Sequence, residues 1–176
     1  MTDSGTTAAL QDAKLGTTSG KSHLNSVEQC QLAAFSLASQ ATKSIYIFSH
    51  DLEPQIYNQI PFLEAIKALA INSRQTHIRV LLQDNEKAQR DGHRLIQLWR
   101  RLTSKIEIRR PHPDYIDHPE SFLVADETGY LLHRLYTGYE ATVDFNSRPE
   151  AGKLSGFFDE VWEQSEPDSE LRDIHI

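Results

Sequence analysis

Apolar residues recur along the chain first at helical and then at strand spacing, and the change of rhythm divides it into elements. From Leu24, LNSVEQCQLAAFSLASQA carries Val27, Leu32, Phe35 and Ala38 at helical spacing. Asn25 with Glu28 reads as a capping box, so a helix is expected to open the domain. KSIYIF, residues 43–48, is a β-branched and aromatic run that predicts a buried strand, and the polar group Ser49, His50, Asp51 ends it. PFLEAIKALAINSR predicts a second helix that starts at Pro61. HIRVLLQD predicts a strand, GHRLIQLWRRL a helix with Leu95, Leu98, Trp99 and Leu102 on one face, and KIEIRR a half-exposed strand. PHPDYIDHP has too many prolines for regular structure and reads as a loop.

The second half alternates differently. SFLVAD and YLLHRL flank the turn ETG and predict a hairpin in which Gly129 supplies the positive φ. ATVDF is a further short strand. Pro149 then starts a closing helix, PEAGKLSGFFDEVWEQS, with Leu154, Phe157, Phe158, Val161 and Trp162 facing inward. The final ELRDIHI is apolar at Leu171, Ile174 and Ile176, as a small edge strand would be. Helix and strand alternate in the first half, which predicts parallel pairing, and the hairpin makes the sheet mixed with helices on both faces. The first 22 residues are rich in Ser, Thr and Gly without an apolar run, and are expected to be a disordered tail ahead of one domain over 23–176.

Composition narrows the function classes. No apolar run is long enough for a membrane span or a secretory signal, so a cytoplasmic protein is expected. Cys30 is the single cysteine, which excludes an internal disulfide and a structural thiolate zinc site, and its apolar helical neighbours predict a buried, inert thiol. The formal net charge of −7 argues against binding nucleic acid. Yet eight basic residues lie between Lys87 and Arg110 against two acids, and from Glu150 onward eight acids face Lys153 and Arg172. These are either two solvated faces or two edges that meet within or between chains.

Several residues could carry chemistry. His50, Asp51 and Glu53 follow the first predicted strand and Asp84 ends the second, where ligands bind in open α/β sheets; Tyr57 and His93 could join them. A His50–Asp51 pair there could act as general base, while Asp51 and Asp84 could equally cap neighbouring helices or turns. His112, Asp114, Asp117 and His118 crowd the 110–119 loop, although a proline-rich loop is a poor frame for a metal and none is expected. Arg109, Arg110, Arg134 and Arg148 could converge on a phosphate-bearing ligand or form exposed ion pairs.

A strand ending in Asp126, a hairpin, Asn146 and a closing F-x-x-x-W helix together resemble one half of a phospholipase D-type domain. The chain is also similar to a bacterial family of unknown function in which such a domain stands alone or follows an acetyltransferase domain. The likeness runs from about Leu24 to the C-terminus and is carried by "HDLEPQIY", "GHRLIQLWRRL", "FLVADETGYLL" and "FFDEVWEQS". It implies a single α/β half-domain, with a mixed, mostly parallel sheet, a C-terminal hairpin and a closing helix, that needs no cofactor. The partners it implies are a second copy, because two halves normally meet, and an acetyltransferase. Active relatives carry H-x-K-x-x-x-x-D, then Gly-Ser and Asn, with the histidine attacking phosphorus and the lysine holding phosphoryl oxygens. Counted back from Asp126, those places hold Pro119 and Ser121, and the Gly-Ser place holds His133 and Arg134. His118 stands one residue early, which on a strand aims it at the opposite face, with Glu120 two along. A non-catalytic binding or interaction module, with or without a retained phosphate or anion pocket, is therefore expected ahead of a divergent hydrolase or transferase acting on a phosphate-bearing substrate through His50 and Asp51, and ahead of a nucleic-acid binder using the basic stretch 87–110.

Overall fold

The computed structural model describes residues 3–172. Among them an eight-stranded mixed sheet runs in the order β1-β7-β6-β5-β2-β3-β4-β8. Its centre is β2 (Ser44–Ser49), every residue of which is buried. β2 pairs in parallel with β3 (His77–Leu82), and β3 with β4 (Ile106–Arg110). The parallel pairing is confined to these strands. On the other side of β2 lies β5 (Ser121–Ala125), antiparallel, followed by β6 (Gly129–His133), β7 (Ala141–Asp144) and the edge strand β1 (Ser22–Leu24).

Strand alternation splits the interior in two. Ile45, Ile47, Leu123, Ala125 and Leu131 form one core with residues of α2 (Val27–Gln40), α3 (Ile60–Asn72) and α5 (Arg94–Arg101). Tyr46, Phe48, Phe122, Val124 and Tyr130 form the other, under Phe158, Val161 and Trp162 of α6 (Arg148–Glu163). Helices thus cover both faces, as the sequence pattern predicts, and Trp99 and Trp162 are core residues.

Several local expectations are corrected. Residues assigned to a disordered tail form α1 (Asp3–Asp12) and, at their end, β1. Leu10 and Ala13 are buried, and Gln40 of α2 binds the Ala13 carbonyl and the Leu15 amide. The segment has too little apolar surface to fold by itself; α2 supplies the surface it packs on. The α2 cap is Ser26 with Gln29, one residue beyond the predicted pair: Ser26 Oγ accepts from the Gln29 amide and Gln29 Oε1 from the Asn25 amide. Phe35 lies on the outer side of α2 and is partly exposed, because Leu37 with the small residues Cys30, Ala33, Ala34 and Ala38 makes the inward face. A short helix not expected, α4 (Asn85–Arg90), follows β3. The edge strand comes earlier than predicted, as β8 (Glu166–Pro167) antiparallel to β4, and Ser169–Arg172 form the short helix α7; the rest of ELRDIHI lies outside the described residues. The basic and acidic segments therefore meet within the chain: Arg110 pairs with Glu166 in the ladder, and Arg100 donates to the Leu171 carbonyl.

The β5–β6 turn takes its positive φ at Asp126 (53°) and Glu127 (54°) rather than at Gly129. Gly129 is needed for a different reason. A Cβ there would lie 2.6 Å from Leu15 Cδ1, 2.9 Å from Leu37 Cδ2 and 3.2 Å from the Asp144 carbonyl oxygen. Gly129→Ala is expected to lose about 1–3 kcal/mol of stability by overpacking. Because the nearest atom belongs to Leu15, adding Leu15→Ala should recover part of that loss, read as urea midpoints of the single and double variants; strictly additive losses would sink the explanation.

Candidate functional site

The end of β2 is followed by a turn that no periodicity in the sequence signals. Leu52 adopts φ 61° and Glu53 φ 22°, and a single π-helical turn, Glu53–Tyr57, follows. A leucine in the left-handed region costs about 1–2 kcal/mol. Three contacts hold it there: Ser49 Oγ accepts from the Leu52 amide at 2.9 Å, Asp51 Oδ1 from the Glu53 amide at 3.0 Å, and His93 Nε2 bonds the Leu52 carbonyl at 2.9 Å. His93 Nδ1 accepts from the Leu95 amide at the start of α5, so its proton sits on Nε2 and the ring is neutral. Burial lowers its pKa accordingly. His93 is a clamp between α5 and the strained turn rather than a pocket residue.

Asp51 and Asp84 act as anchors. Asp51 Oδ2 is paired with Lys87 Nζ at 2.5 Å, and Asp84 caps α4 by accepting from the Lys87 amide at 3.1 Å. His50 stacks on Tyr136 with ring centroids 4.1 Å apart, and its Nε2 is 4.0 Å from Asp84. The His50–Asp51 pair suggested for general-base chemistry does not form; each side chain is engaged elsewhere.

Glu53 is different. Both its carboxyl oxygens are buried without a well-aligned hydrogen bond, as are the Tyr57 hydroxyl, the Ser121 hydroxyl and both ring nitrogens of His133. Burial pushes the Glu53 carboxyl up to about 8, Asp51 adds to the rise, and the nearby Ser121 and Ser49 hydroxyls oppose it. Burial, with Glu53 second, raises Tyr57 well above the usual phenol range, and burial alone takes His133 down to about 4. The sheet explains the grouping. Ser121 is the register partner of His133, and Ser49 follows Phe48, the partner of Phe122. Alternation therefore turns Ser49, Ser121 and His133 to the α2 face at one end of three adjacent strands.

His118 lies on the other face. Its ring stacks on Phe157 of α6 at 4.7 Å and meets Phe48 edge-on at 5.3 Å, with Nε2 3.5 Å from Glu120. Burial lowers its pKa against the pull of Glu120. The loop that carries it is held by Gln83, a residue the sequence did not single out, whose amide donates to the carbonyls of Tyr115, Ile116 and His118. In the same loop His112 accepts from the Asp114 amide. Among the described residues no group of three or more His, Cys, Asp or Glu is placed to hold a metal ion.

The remaining candidates are scattered. Asp126 sits at the opposite end of β2, where its carboxylate accepts from the amides of Thr42, Lys43 and Ser44. Asn146, near the same end, donates to Ser19, and Arg148 is exposed at the start of α6. Arg109 lies over the Trp162 ring at 4.3 Å and donates to its carbonyl, while Arg134 lines a separate surface groove with Lys21, His23 and Glu140. The four arginines do not converge. Cys30 is buried, its pKa pushed up to about 12 chiefly by burial, as an inert thiol should be.

Residues 26–174 match the family model described as a domain of unknown function, DUF7931. The chain belongs to this family. No curated protein matches it. Among solved structures, the DUF7931 chain is similar to TrmBL2, an archaeal chromatin protein whose structure shows a novel mode of DNA binding (16% identity, TM-score 0.63, 91% of this chain and 58% of that one). It is similar also to Nuc from Salmonella typhimurium, a phospholipase D family member (14% identity, TM-score 0.60, 84% and 98%), and to NucT from Helicobacter pylori (11% identity, TM-score 0.59, 84% and 98%). The chain thus spans little more than half of the archaeal protein and nearly the whole of the other two. At these identities the likeness establishes a phospholipase D-like fold. No helix among the described residues is long and apolar enough to cross a membrane.

The buried titratable groups set a pH signature. The unfolded His133 ring, with its ordinary value of 6.5, binds a proton between pH 6.5 and 4 that the folded ring refuses, so stability falls as pH drops through that window, by about 3 kcal/mol at full shift. Glu53 works in the opposite sense: raised from 4.5 to about 8, it holds a proton in the folded chain alone between those values, so its contribution is fully present below pH 4.5 and is lost progressively as pH rises from 4.5 to about 8. His133→Leu should flatten the loss of stability as pH falls from 6.5 to 4, and Glu53→Gln the loss as pH rises from 4.5 to about 8, measured by urea unfolding across pH. Unchanged limbs in both variants would refute these assignments.

Proposed function

We propose that this DUF7931 domain is a non-catalytic phospholipase D-like binding or interaction module. The observation that carries the reading is the placement of the motif remnants: His118 and Glu120 belong to the α6 side, Ser121 faces the α2 side, and Pro119 stands at the nucleophile position. A phosphohistidine mechanism needs an imidazole and a cation converging on one phosphoryl group. Here the lysine position has a serine beside a buried carboxyl, and neither supplies a cation for the phosphoryl oxygens. The dispersed arginines add to the case against a retained anion pocket.

A hydrolase or transferase built on His50 and Asp51 is less well supported, because Lys87 and Tyr136 occupy those side chains. DNA binding of the kind named for the archaeal chromatin protein is opposed by the formal charge of −7 and by internal pairing of the basic stretch, where Lys87, Arg94, Arg100, Lys105 and Arg109 all bond within the chain. In the bacterial setting implied by the resemblance, the module would position the substrate of an accompanying acetyltransferase.

A chromogenic phosphodiester assay should give no turnover above buffer for wild type, His118→Ala and His50→Ala. Turnover with a phosphorylated His118, or turnover abolished in His50→Ala alone, would overturn the reading. The domain is further proposed to pair with a second copy through the loop after β6, where Leu135 is 62% and Tyr139 40% exposed beside the His50 end of the sheet. Light scattering should report twice the chain mass and Leu135→Asp the single mass; a wild-type monomer at all concentrations would dispose of the pairing.

A further inference from the structure

The exposed cations of this acidic chain are not spread evenly, and one group of them rims an apolar groove. α3 and α5 pack side by side on the same face of the sheet. Leu63 and Leu98 lie between them as the floor of a groove of about 260 Å³, and Ile60, Lys67, Arg94 and Arg101 stand along its sides. Ile60 is 60% exposed, and Ile71, further along α3, is 60% exposed as well. Their spacing is close to three full helical turns, so both stand on one side of α3. Scattered exposed apolar residues need no explanation, but two on one side of a helix beside an apolar floor form a patch.

The rim is cationic although the chain carries a formal charge of −7. Lys67 and Arg101 form no ion pair or hydrogen bond among the described residues. Arg94 donates to Oδ1 and to the carbonyl oxygen of Asn58, a neutral partner that fixes the guanidinium without cancelling its charge. Against these three cations the lining has one acid, Glu64.

Size and charge together select an occupant. At about 260 Å³ the groove falls short of the roughly 300–1,000 Å³ of pockets that enclose a small ligand. It is an open channel with an apolar bed, Lys67 on one side and Arg94 and Arg101 on the other, which matches a helix whose apolar stripe is edged by acids. An anionic bilayer fits less well, because Glu64 lies between Ile60 and Ile71 on the same side of α3 and would be covered with them. The charge of the whole chain repels an extended polyanion.

We propose that the α3–α5 groove docks an acidic amphipathic helix of a partner protein, its apolar side chains on Ile60, Leu63 and Leu98 and its carboxylates on Lys67, Arg94 and Arg101. The assignment gives the interaction module a class of partner and rests on that reading. Phosphodiester turnover would defeat the module, whereas failure of helix binding at this groove would defeat the partner class alone.

Panning the full chain against displayed peptides of about 18 residues, five helical turns, with leucine fixed at helical spacing and the flanking positions randomised, should enrich Asp and Glu on both sides of the leucine stripe. Joint Lys67→Glu and Arg101→Glu reversal should weaken the best peptide by about tenfold in fluorescence anisotropy. The same peptide remade with Lys for its acids should prefer the doubly reversed chain, an exchange of preference that misfolding cannot produce. Lys153→Glu, on α6, should leave binding unchanged. No enrichment over an unrelated bait, winners with basic or uncharged edges, or winners indifferent to the two reversals would overturn the proposal. So would sedimentation with phosphatidylserine vesicles, or retention on duplex DNA, that depends on Lys67 and Arg101.

Discussion

The register of β5 between β2 and β6 is the constraint from which the rest of this molecule follows. Pairing Phe48 with Phe122 and Leu123 with Leu131 fixes which residues face α6 and which face α2. A shift by one residue would exchange the two sets and drive both aromatic and aliphatic cores onto the wrong faces. The same alternation that buries Phe122 under α6 takes His118 and Glu120 to that side, and the alternation that buries Leu123 takes Ser121 and His133 to the other. Asp126 secures the arrangement from the far end. Its carboxylate gathers the amides that open β2, so the aspartate of the motif pattern remains as a fastening between the hairpin and the central strand.

Beyond that fastening, the opposite end of β2 carries two acids, two residues apart in sequence, with different electrostatic fates. Asp51 meets Lys87, which is half exposed, and so keeps a charged partner with access to solvent. Glu53, carried inward by the left-handed turn, meets hydroxyls and is held far above the usual carboxylate range by desolvation. Backbone strain and a buried acid occupy the same few residues, and both are maintained by contacts from β2, α5 and the turn itself. A position so heavily specified is costly to keep without a use.

Much of the frame was legible in the sequence because strong apolar runs decide it. β2, β3, β4, the β5–β6 hairpin and α6 each carry enough buried surface to specify themselves. What escaped depends on distant partners. α1 has little apolar surface of its own and folds because Gln40 and the inward face of α2 receive it. The role of Gly129 is set by Leu15, Leu37 and Asp144, none of them a sequence neighbour. The left-handed Leu52 has no glycine or asparagine to announce it, since His93, far along the chain, imposes it. Asp51, Glu53 and Tyr57 were recognisable as chemical groups, whereas their division into a surface ion pair and a buried acid needed the turn.

Charge distribution completes the picture and separates fold likeness from shared activity. A basic stretch in an acidic chain invites comparison with a DNA-binding neighbour of the same fold. Here, however, the stretch threads through α4, α5 and β4 and is consumed internally: Lys87 on Asp51, Arg94 on Asn58, Arg100 on Leu171, Lys105 on Ser73, and Arg109 on Trp162. The acidic C-terminal segment folds back along β4, with Glu166 opposite Arg110 in the ladder. Attraction to a polyanion grows with the number of phosphates neutralised by free cations. Five of the eight cations are held inside the fold by carbonyls, an amide, a carboxylate and an indole ring, so this sheet uses much of the basic segment as part of its own scaffold.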